Sequence, residues 1–322
     1  MYFDLDETQR EIARLAADVL GGADPWKELA RSGLLAIAVP AELGGDGLGA
    51  LDIAILLTEV GRKAVPVPAM ATVMTGVLPV AQWGDDATKR ALLPAAAAGD
   101  MVLTAAIREP GGRQETAVDD GVVTGTKIGV PYAAEAGRIL VSTVSGVALV
   151  DPAAPGVTTI RTPSATGDPE YTVRLDRAPV VGTLAMDASD LSRLATAGAC
   201  AMADGALAGA LALTRDYIAT RRQFGRLLAE FQAVSQQIAD VYIASRTLHL
   251  ITLSACWRLD TGRDADLDLD AATWWVTEEA VKSVHSCHHM HGGVGVDTSY
   301  PLHRFSSLIR DLSRFLGGSS VH

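Results

Sequence analysis

The sequence is short of cysteine, of aromatic residues and of basic charge, and each shortage removes a class of function. Three cysteines, Cys200, Cys256 and Cys287, are spread through 322 residues. Odd in number and far apart, they form neither a disulfide framework nor a paired-cysteine zinc site. Lys and Arg number 27 against 38 Asp and Glu, a formal net charge of −11. Such a chain lacks the basic face that a nucleic-acid backbone requires, although a local basic pocket for a nucleotide-like ligand is still open. The N-terminal MYFDLDETQREIARL is acidic where a signal peptide needs a basic start and an apolar core. One uncharged stretch, Ala64 to Trp83, reaches membrane-spanning length. Pro66, Pro68 and Pro79 interrupt it, so it reads as a loop and a buried helix rather than a span. The expectation is a protein of the reducing cytoplasm, with no membrane and no nucleic acid among its partners.

What is present is a globular composition, 48% hydrophobic and 20% charged, able to bury a large core. Three zones follow one another. From residue 4 to about 100, apolar residues recur at helical spacing (Ile12, Leu15, Ala16, Val19; then Ile53, Leu56, Leu57, Val60), broken by turns such as Gly44-Gly45-Asp46-Gly47. From 101 to about 185 the runs become short and β-rich: 123–126, 139–143, 147–150 and 171–175. From Ala188 the helical period returns over 188–220, 230–259 and 270–290. Helices, strands, helices, with no βαβ alternation, predict an α+β fold: an N-terminal helical domain (1–100), a middle antiparallel β domain (101–185) and a C-terminal four-helix bundle (186–322). The C-terminal helices are apolar on more than one face, which predicts burial in a bundle or against other subunits.

Taken singly, the motifs have ordinary explanations. Thr220-Arg221-Arg222-Gln223-Phe224-Gly225 can be a basic helix end with a Gly stop. Paired guanidiniums beside a turn and a ring can equally hold a diphosphate and stack on a ring system. His289-Met290-His291-Gly292-Gly293-Val294-Gly295 is a helix-ending turn or a place for close backbone approach to a ligand, without the spacing of a dinucleotide fingerprint. His285, His288, His289 and His291 with Cys287 raise a metal question, but no carboxylate or second cysteine stands at ligand spacing, so no metal site is assigned. In Asp264 to Asp270 the glycine and glutamate of a calcium loop are replaced by Leu269 and Trp275. That run reads as an interhelical loop whose Asp270 caps the next helix.

Together the motifs are more specific. RRQFG, then EFQAVSQQIAD, then MHGGVGVDTSYPLHRFSSLIRD closely resemble the C-terminal domain of acyl-CoA dehydrogenases. LARSGLLAIAVPAELGGDGLG, ILLTEVGRKAVPVP and REPGG extend the resemblance over almost the whole chain. The resemblance implies tetramers with FAD at a subunit interface and α,β-desaturation of an acyl-CoA thioester by a Glu base and flavin N5. By the same resemblance Arg221 and Phe224 meet the diphosphate and ring system, Gln232 lies nearby, His289 takes the place of a Gln, and Gly292, Gly293 and Gly295 give close backbone approach.

The departures shape the expectation further. Glycine stands in Arg314-Phe-Leu-Gly-Gly-Ser319 where most members carry the catalytic Glu. The second family position for the base falls near Ala195, and no Glu occurs from 171 to 229 or from 280 to the end. Asp204 and Asp311 are the nearest carboxylates. The family's TEPxxGSD becomes Arg108 to Thr116 without its Ser, its flavin-contacting Trp-x-Thr becomes Val130-Pro-Tyr-Ala133, and the sequence ends at His322 short of a closing helix. No catalytic residue is therefore assigned. The pattern resembles the shorter subunit of actinobacterial α2β2 acyl-CoA dehydrogenases acting on steroid-derived thioesters, which completes the FAD site of a partner carrying the Glu. A homomeric flavoenzyme using Asp204 or Asp311, or a flavin-free scaffold or metal module on the histidine cluster, are the alternatives.

Overall fold

Asp6 opens the first helix, α1 (Glu7–Val19), with a reciprocal cap: its carboxylate accepts from Gln9 N at 2.8 Å, and Gln9 Oε1 accepts from Asp6 N at 3.1 Å. Asp24 caps α2 (Pro25–Arg31). At the start of α3 (Ala50–Lys63), Asp52 Oδ2 accepts from Gly49 N at 3.3 Å, and the next two amides are met from elsewhere. The carboxylate of Asp260, 210 residues beyond Ala50, accepts from Ala50 N at 2.6 Å and Leu51 N at 2.8 Å. Gly49 leaves the space for it, since a Cβ there would overlap that carboxylate. A loop then leads to a buried π-helical stretch, Met70–Val77, which continues into α4 (Leu78–Trp83) and is followed by α5 (Asp86–Ala97). The structure, a computed structural model, describes residues 3–317.

The middle of the chain forms β1 (Val102–Ala106), β2 (Ala117–Asp119), β3 (Val122–Pro131), β4 (Ala136–Thr143), β5 (Gly146–Val150), β6 (Val157–Thr162) and β7 (Glu170–Leu184). They make one sheet in the order β1-β4-β5-β7-β3-β2, with β6 also on β7. The sheet is not wholly antiparallel, as the sequence led us to expect: β1 pairs parallel with β4. After β1 the chain crosses to β2 and β3 on the other side of the sheet and returns beside β1 in the same direction, the crossover that a parallel pair requires. Inside this sheet Lys127 is fully buried, its ammonium donating to Glu109 Oε1 (2.6 Å), Ser142 Oγ (2.9 Å) and Ile107 O (3.3 Å). Glu109 also accepts from the Glu115 and Thr116 amides, so the REP segment anchors the loop that follows it.

The C-terminal part is a four-helix bundle: α6 (Ala188–Thr220), α7 (Gln232–Asp260), α8 (Asp266–Trp274) running through π-helical Trp275–Ala280 into α9 (Val281–His291), and α10 (Leu302–Phe315). A small hairpin, β8 (Arg222–Gln223) with β9 (Arg226–Leu227), lies between α6 and α7. α6 is long and apolar enough to cross a membrane by length and composition, but it is a core helix buried among the others. Asp270 does not cap α8; it sits inside it. The helix starts earlier because Asp264 accepts from the Asp266 amide at 3.0 Å, Asp266 pairs with Arg193, and Asp268 pairs with Arg258.

α3 and α6 cross at backbone contact. A Cβ at Gly61 would overlap the Met202 carbonyl, and one at Gly205 would overlap the Thr58 carbonyl. Only glycine permits that approach. Gly205→Ala should therefore destabilise the chain by about 2–3 kcal/mol, as overpacking of a rigid contact does. Urea unfolding of both proteins checks this through a lower midpoint at unchanged slope.

Candidate functional site

The RRQFG segment is a tight hairpin at the end of α6. Arg221 closes that helix, its N–H donating to Tyr217 O at 2.9 Å, and Leu228 N returns to Arg221 O at 2.9 Å. Phe224 and Gly225 form the two-residue turn with φ of 53° and 81°. Positive φ at both residues is the type I′ geometry that matches strand twist. It is natural for Gly225 and strained for Phe224. The Phe224 ring is 91% exposed, touching Phe231 only edge-on with centroids 6.3 Å apart. The Arg226 guanidinium lies over the Phe231 ring at 4.0 Å. Arg221 and Arg222 are exposed, and exposed Gln232 is the first residue of α7, at the positive end of that helix's dipole.

The second segment ends α9. Its three glycines have three different reasons to be glycine. Gly292 holds φ 60°, ψ −139°, a backbone region that favours glycine. Gly295 is buried, and a Cβ there would sit 2.9 Å from His291 Cβ, so the turn could not fold back on its helix. A Cβ at Gly293 would meet nothing within 4 Å, which leaves bare backbone open to an approaching ligand. His289 is exposed on the last turn of α9.

A buried clamp brings the two segments together. His291 is 3% exposed, its Nδ1 2.8 Å from Cys287 O and its Nε2 3.1 Å from the Tyr300 hydroxyl. Its ring stacks on Tyr217 at 4.3 Å, and the Tyr217 hydroxyl donates to the His291 carbonyl. Tyr217 stands one helical turn before Arg221, so the ends of α6 and α9 are held side by side. Arg221, Phe224, Gln232, His289, Gly292 and Gly293 thus lie at one end of the bundle, all exposed. Tyr217 carries no motif signal; His291 and Tyr300 lie inside the MHGGVGVDTSYPLHR stretch, but nothing in that stretch marks them as a clamp.

The histidine cluster does not assemble into a ligand set: among the described residues no group of three or more His, Cys, Asp or Glu is placed to hold a metal ion. Burial pushes the Cys287 thiol up to about 11. Burial also pushes His291 below its ordinary 6.5, against the hydrogen bond to the Cys287 carbonyl. A base depressed in the folded state takes up protons on unfolding, so its neutral form stabilises the fold above about pH 6.5 and that contribution falls as pH drops below it. Wild type should lose stability between pH 7.5 and 5.5 by more than His291→Phe does, when melting temperatures of the two are compared across that range.

A separate cleft of about 470 Å³ lies between the 64–71 segment, the β domain and α10. One side of it is fastened by charge. Asp311 accepts from the Ala165 and Thr166 amides at 2.9 and 2.8 Å and from Thr166 Oγ1 at 3.0 Å. Arg314 grips Glu170 with two bonds of 2.9 and 2.8 Å, and Arg108 donates to the Arg314 carbonyl at 2.6 Å. Pro131 and Tyr132, from the segment where the family resemblance puts Trp-x-Thr, line this cleft. Neither candidate Asp is a free base. Asp311 lines the cleft with both oxygens engaged, and Asp204 is buried against His249 Nδ1 (2.8 Å) and Thr58. Ala195 is buried in α6. Of the segment 314–319, the last two residues lie outside the described part of the chain.

Family models for the acyl-CoA dehydrogenase N-terminal and C-terminal domains match residues 6–100 and 183–321. The chain belongs to the acyl-CoA dehydrogenase family. Among its relatives, acyl-CoA dehydrogenase FadE28 of Mycobacterium tuberculosis (strain ATCC 25618 / H37Rv) is 43% identical over 327 residues, covering 99% of this chain and 96% of that protein. FadE27 of the same organism is 32% identical over 335 residues, covering 98% and 89%. Among solved structures, the Mycobacterium tuberculosis ChsE4-ChsE5 complex superimposes with a TM-score of 0.91 at 29% identity, covering 99% of this chain and 95% of that one. A variant of the steroid ACAD Tcur3481-Tcur3483 superimposes with a TM-score of 0.90 at 32% identity, covering 98% and 95%. FAD is the cofactor of this family of oxidoreductases.

Proposed function

We propose that this chain is the base-free subunit of a heteromeric FAD-dependent acyl-CoA dehydrogenase, and that it completes the flavin site of a partner subunit carrying the catalytic Glu. The observation that carries this is an asymmetry within one chain. The bundle end presents exposed guanidiniums, a helix N-terminus and open backbone, while the chain's own cleft has an arginine–carboxylate bolt across it and its Asp311 is engaged through both oxygens.

The bundle end fits FAD by its donor chemistry. Arg221, with Arg222 beside it, neutralises the diphosphate, and the N-terminus of α7 with Gln232 adds oriented donors. Gly293, held by Gly292 and Gly295, admits the ligand to bare backbone, and His289 supplies a polar side chain in place of the family's Gln. Phe224 offers a pre-positioned ring for stacking. Bound FAD supplies the hydride acceptor for α,β-desaturation; the proton and the thioester are handled by the partner. A heterotetrameric α2β2 assembly is supported by the two heteromeric complexes among the structural relatives. A bulky steroid-derived acyl-CoA is supported by the steroid ACAD among them. A cytoplasmic location is supported by three buried free thiols in an acidic chain.

A homomeric enzyme using an Asp base is disfavoured by geometry, because Asp311 is saturated with donors and Asp204 is paired with His249.

Arg221→Ala tests the proposal. Losing a charge-assisted contact of about 1.5–3 kcal/mol should raise the FAD Kd of the co-purified complex by roughly 10- to 100-fold, read from flavin absorbance after gel filtration. Full flavin occupancy at unchanged affinity would overturn it.

A further inference from the structure

Two members of the histidine cluster, His288 and His291, lie against the glycine turn that ends α9. Gly295 folds the turn back onto them: a Cβ there would come 2.9 Å from His291 Cβ and 3.3 Å from His288 Nδ1. At the start of the turn, Gly292 donates its N–H to the His288 and His289 carbonyls. The open backbone of Gly293 is thus carried on a seat made by the last turn of α9 and these two side chains.

Both rings are set up as neutral imidazoles. The Cys287 carbonyl can only accept, so His291 Nδ1 carries the hydrogen and Nε2 offers its lone pair to the Tyr300 hydroxyl. A second proton on Nε2 would force that hydroxyl to turn round. His288 Nδ1 is buried and has no hydrogen-bond partner. The groups around the pair and its Tyr300 partner do not favour a cation. They are His285 and the buried Cys287 thiol on the same helix, Arg310 on α10, and Tyr217 and Asp216 on α6. Of the nearby carboxylates, Asp216 is exposed and paired with Arg215, and Asp297 accepts from Ser299. Burial, reinforced by His285, His291 and Arg310, holds His288 below its ordinary 6.5, with only the Gly295 backbone pulling the other way.

We infer that His288 and His291 are positioning residues of the flavin site: as neutral rings they seat the turn whose backbone meets FAD, and protonating them loosens that seat. This rests on the flavin-completing role proposed above. The depressed histidines belong to the seated turn, so the neutral pair favours it fully above about pH 6.5 and progressively less below. FAD affinity should follow the same curve, since FAD itself changes no charge over that interval.

The FAD Kd of the co-purified complex, measured at about pH 7.5 and about pH 5.5, tests this. The expected result is a rise of roughly tenfold on acidification, with an unchanged far-ultraviolet circular dichroism spectrum. A double variant, His288→Gln with His291→Gln, cannot take up the protons. Its Kd should exceed the wild-type value at the higher pH and stay flat across the range. If that variant fails to fold, Tyr300→Phe decides: it removes the donor to Nε2 and should move the loss of flavin to higher pH. A wild-type Kd that ignores pH would overturn the inference, and so would a rise that comes only with loss of helical signal. A double variant as pH-dependent as wild type, or an unshifted Tyr300→Phe profile, would count equally against it. The two proposals fail separately. Flavin affinity indifferent to Arg221→Ala sinks the flavin role, whereas a flat pH profile with Arg221 still required sinks only the histidine seat.

Discussion

The bare-backbone crossing of α3 and α6 is the constraint from which both ends of the molecule take their positions. Gly61 and Gly205 let the two helices touch where any side chain would hold them apart. α6 is thereby fixed along its length, and its parts serve different places. Met202 reaches the cleft wall, Asp204 is locked to His249 and Thr58, and Tyr217 and Arg221 organise the exposed bundle end. Asp260 reinforces the arrangement by capping α3 from the end of α7. A helix held this rigidly can carry a hairpin whose turn is strained, because the flanking chain leaves the hairpin few alternatives.

That strain is informative about what the bundle end faces. A phenylalanine ring 91% exposed on a left-handed backbone is unfavourable for an isolated chain in both respects. Large apolar side chains on the outer faces of α7 and α8, Tyr242, Ile243, Leu267 and Trp274, are exposed as well. Such surfaces are ordinary in a protein built to be covered by another subunit. One side of the cleft has a different character: there Arg314 pairs within the chain with Glu170 and Asp311.

Much of this was legible in the sequence, for reasons that can be named. Helical periodicity marked α1, α3, α6 and α7 because each buries one or more faces, and β-branched runs marked β3, β4, β5 and β7. The parallel pairing of β1 with β4 was not legible, because strand direction depends on the route of the connection and not on the pattern of the strand. Asp270 was misplaced as a cap because three earlier acids, Asp264, Asp266 and Asp268, find partners that start α8 sooner, two of them on other helices. At the bundle end, RRQFG and the glycine turn announced themselves, whereas the Tyr217–His291–Tyr300 clamp did not: Tyr217 is distant in sequence from the other two, and nothing in the motif around His291 and Tyr300 points to it. The arginine–carboxylate bolt across α10 and the β domain was equally invisible, since Arg108 and Arg314 read as separate departures from a family pattern until they meet.

The most direct measurement of the central claim is flavin stoichiometry with native mass, on this chain expressed alone and co-expressed with an acyl-CoA dehydrogenase partner. A chain that carries half a flavin site should be colourless alone and should form a yellow heteromer holding one FAD for each pair of unlike subunits. A yellow homotetramer with one FAD per chain would contradict the account, because it would mean that the cleft bolted by Arg108, Arg314 and Glu170 accepts the flavin after all.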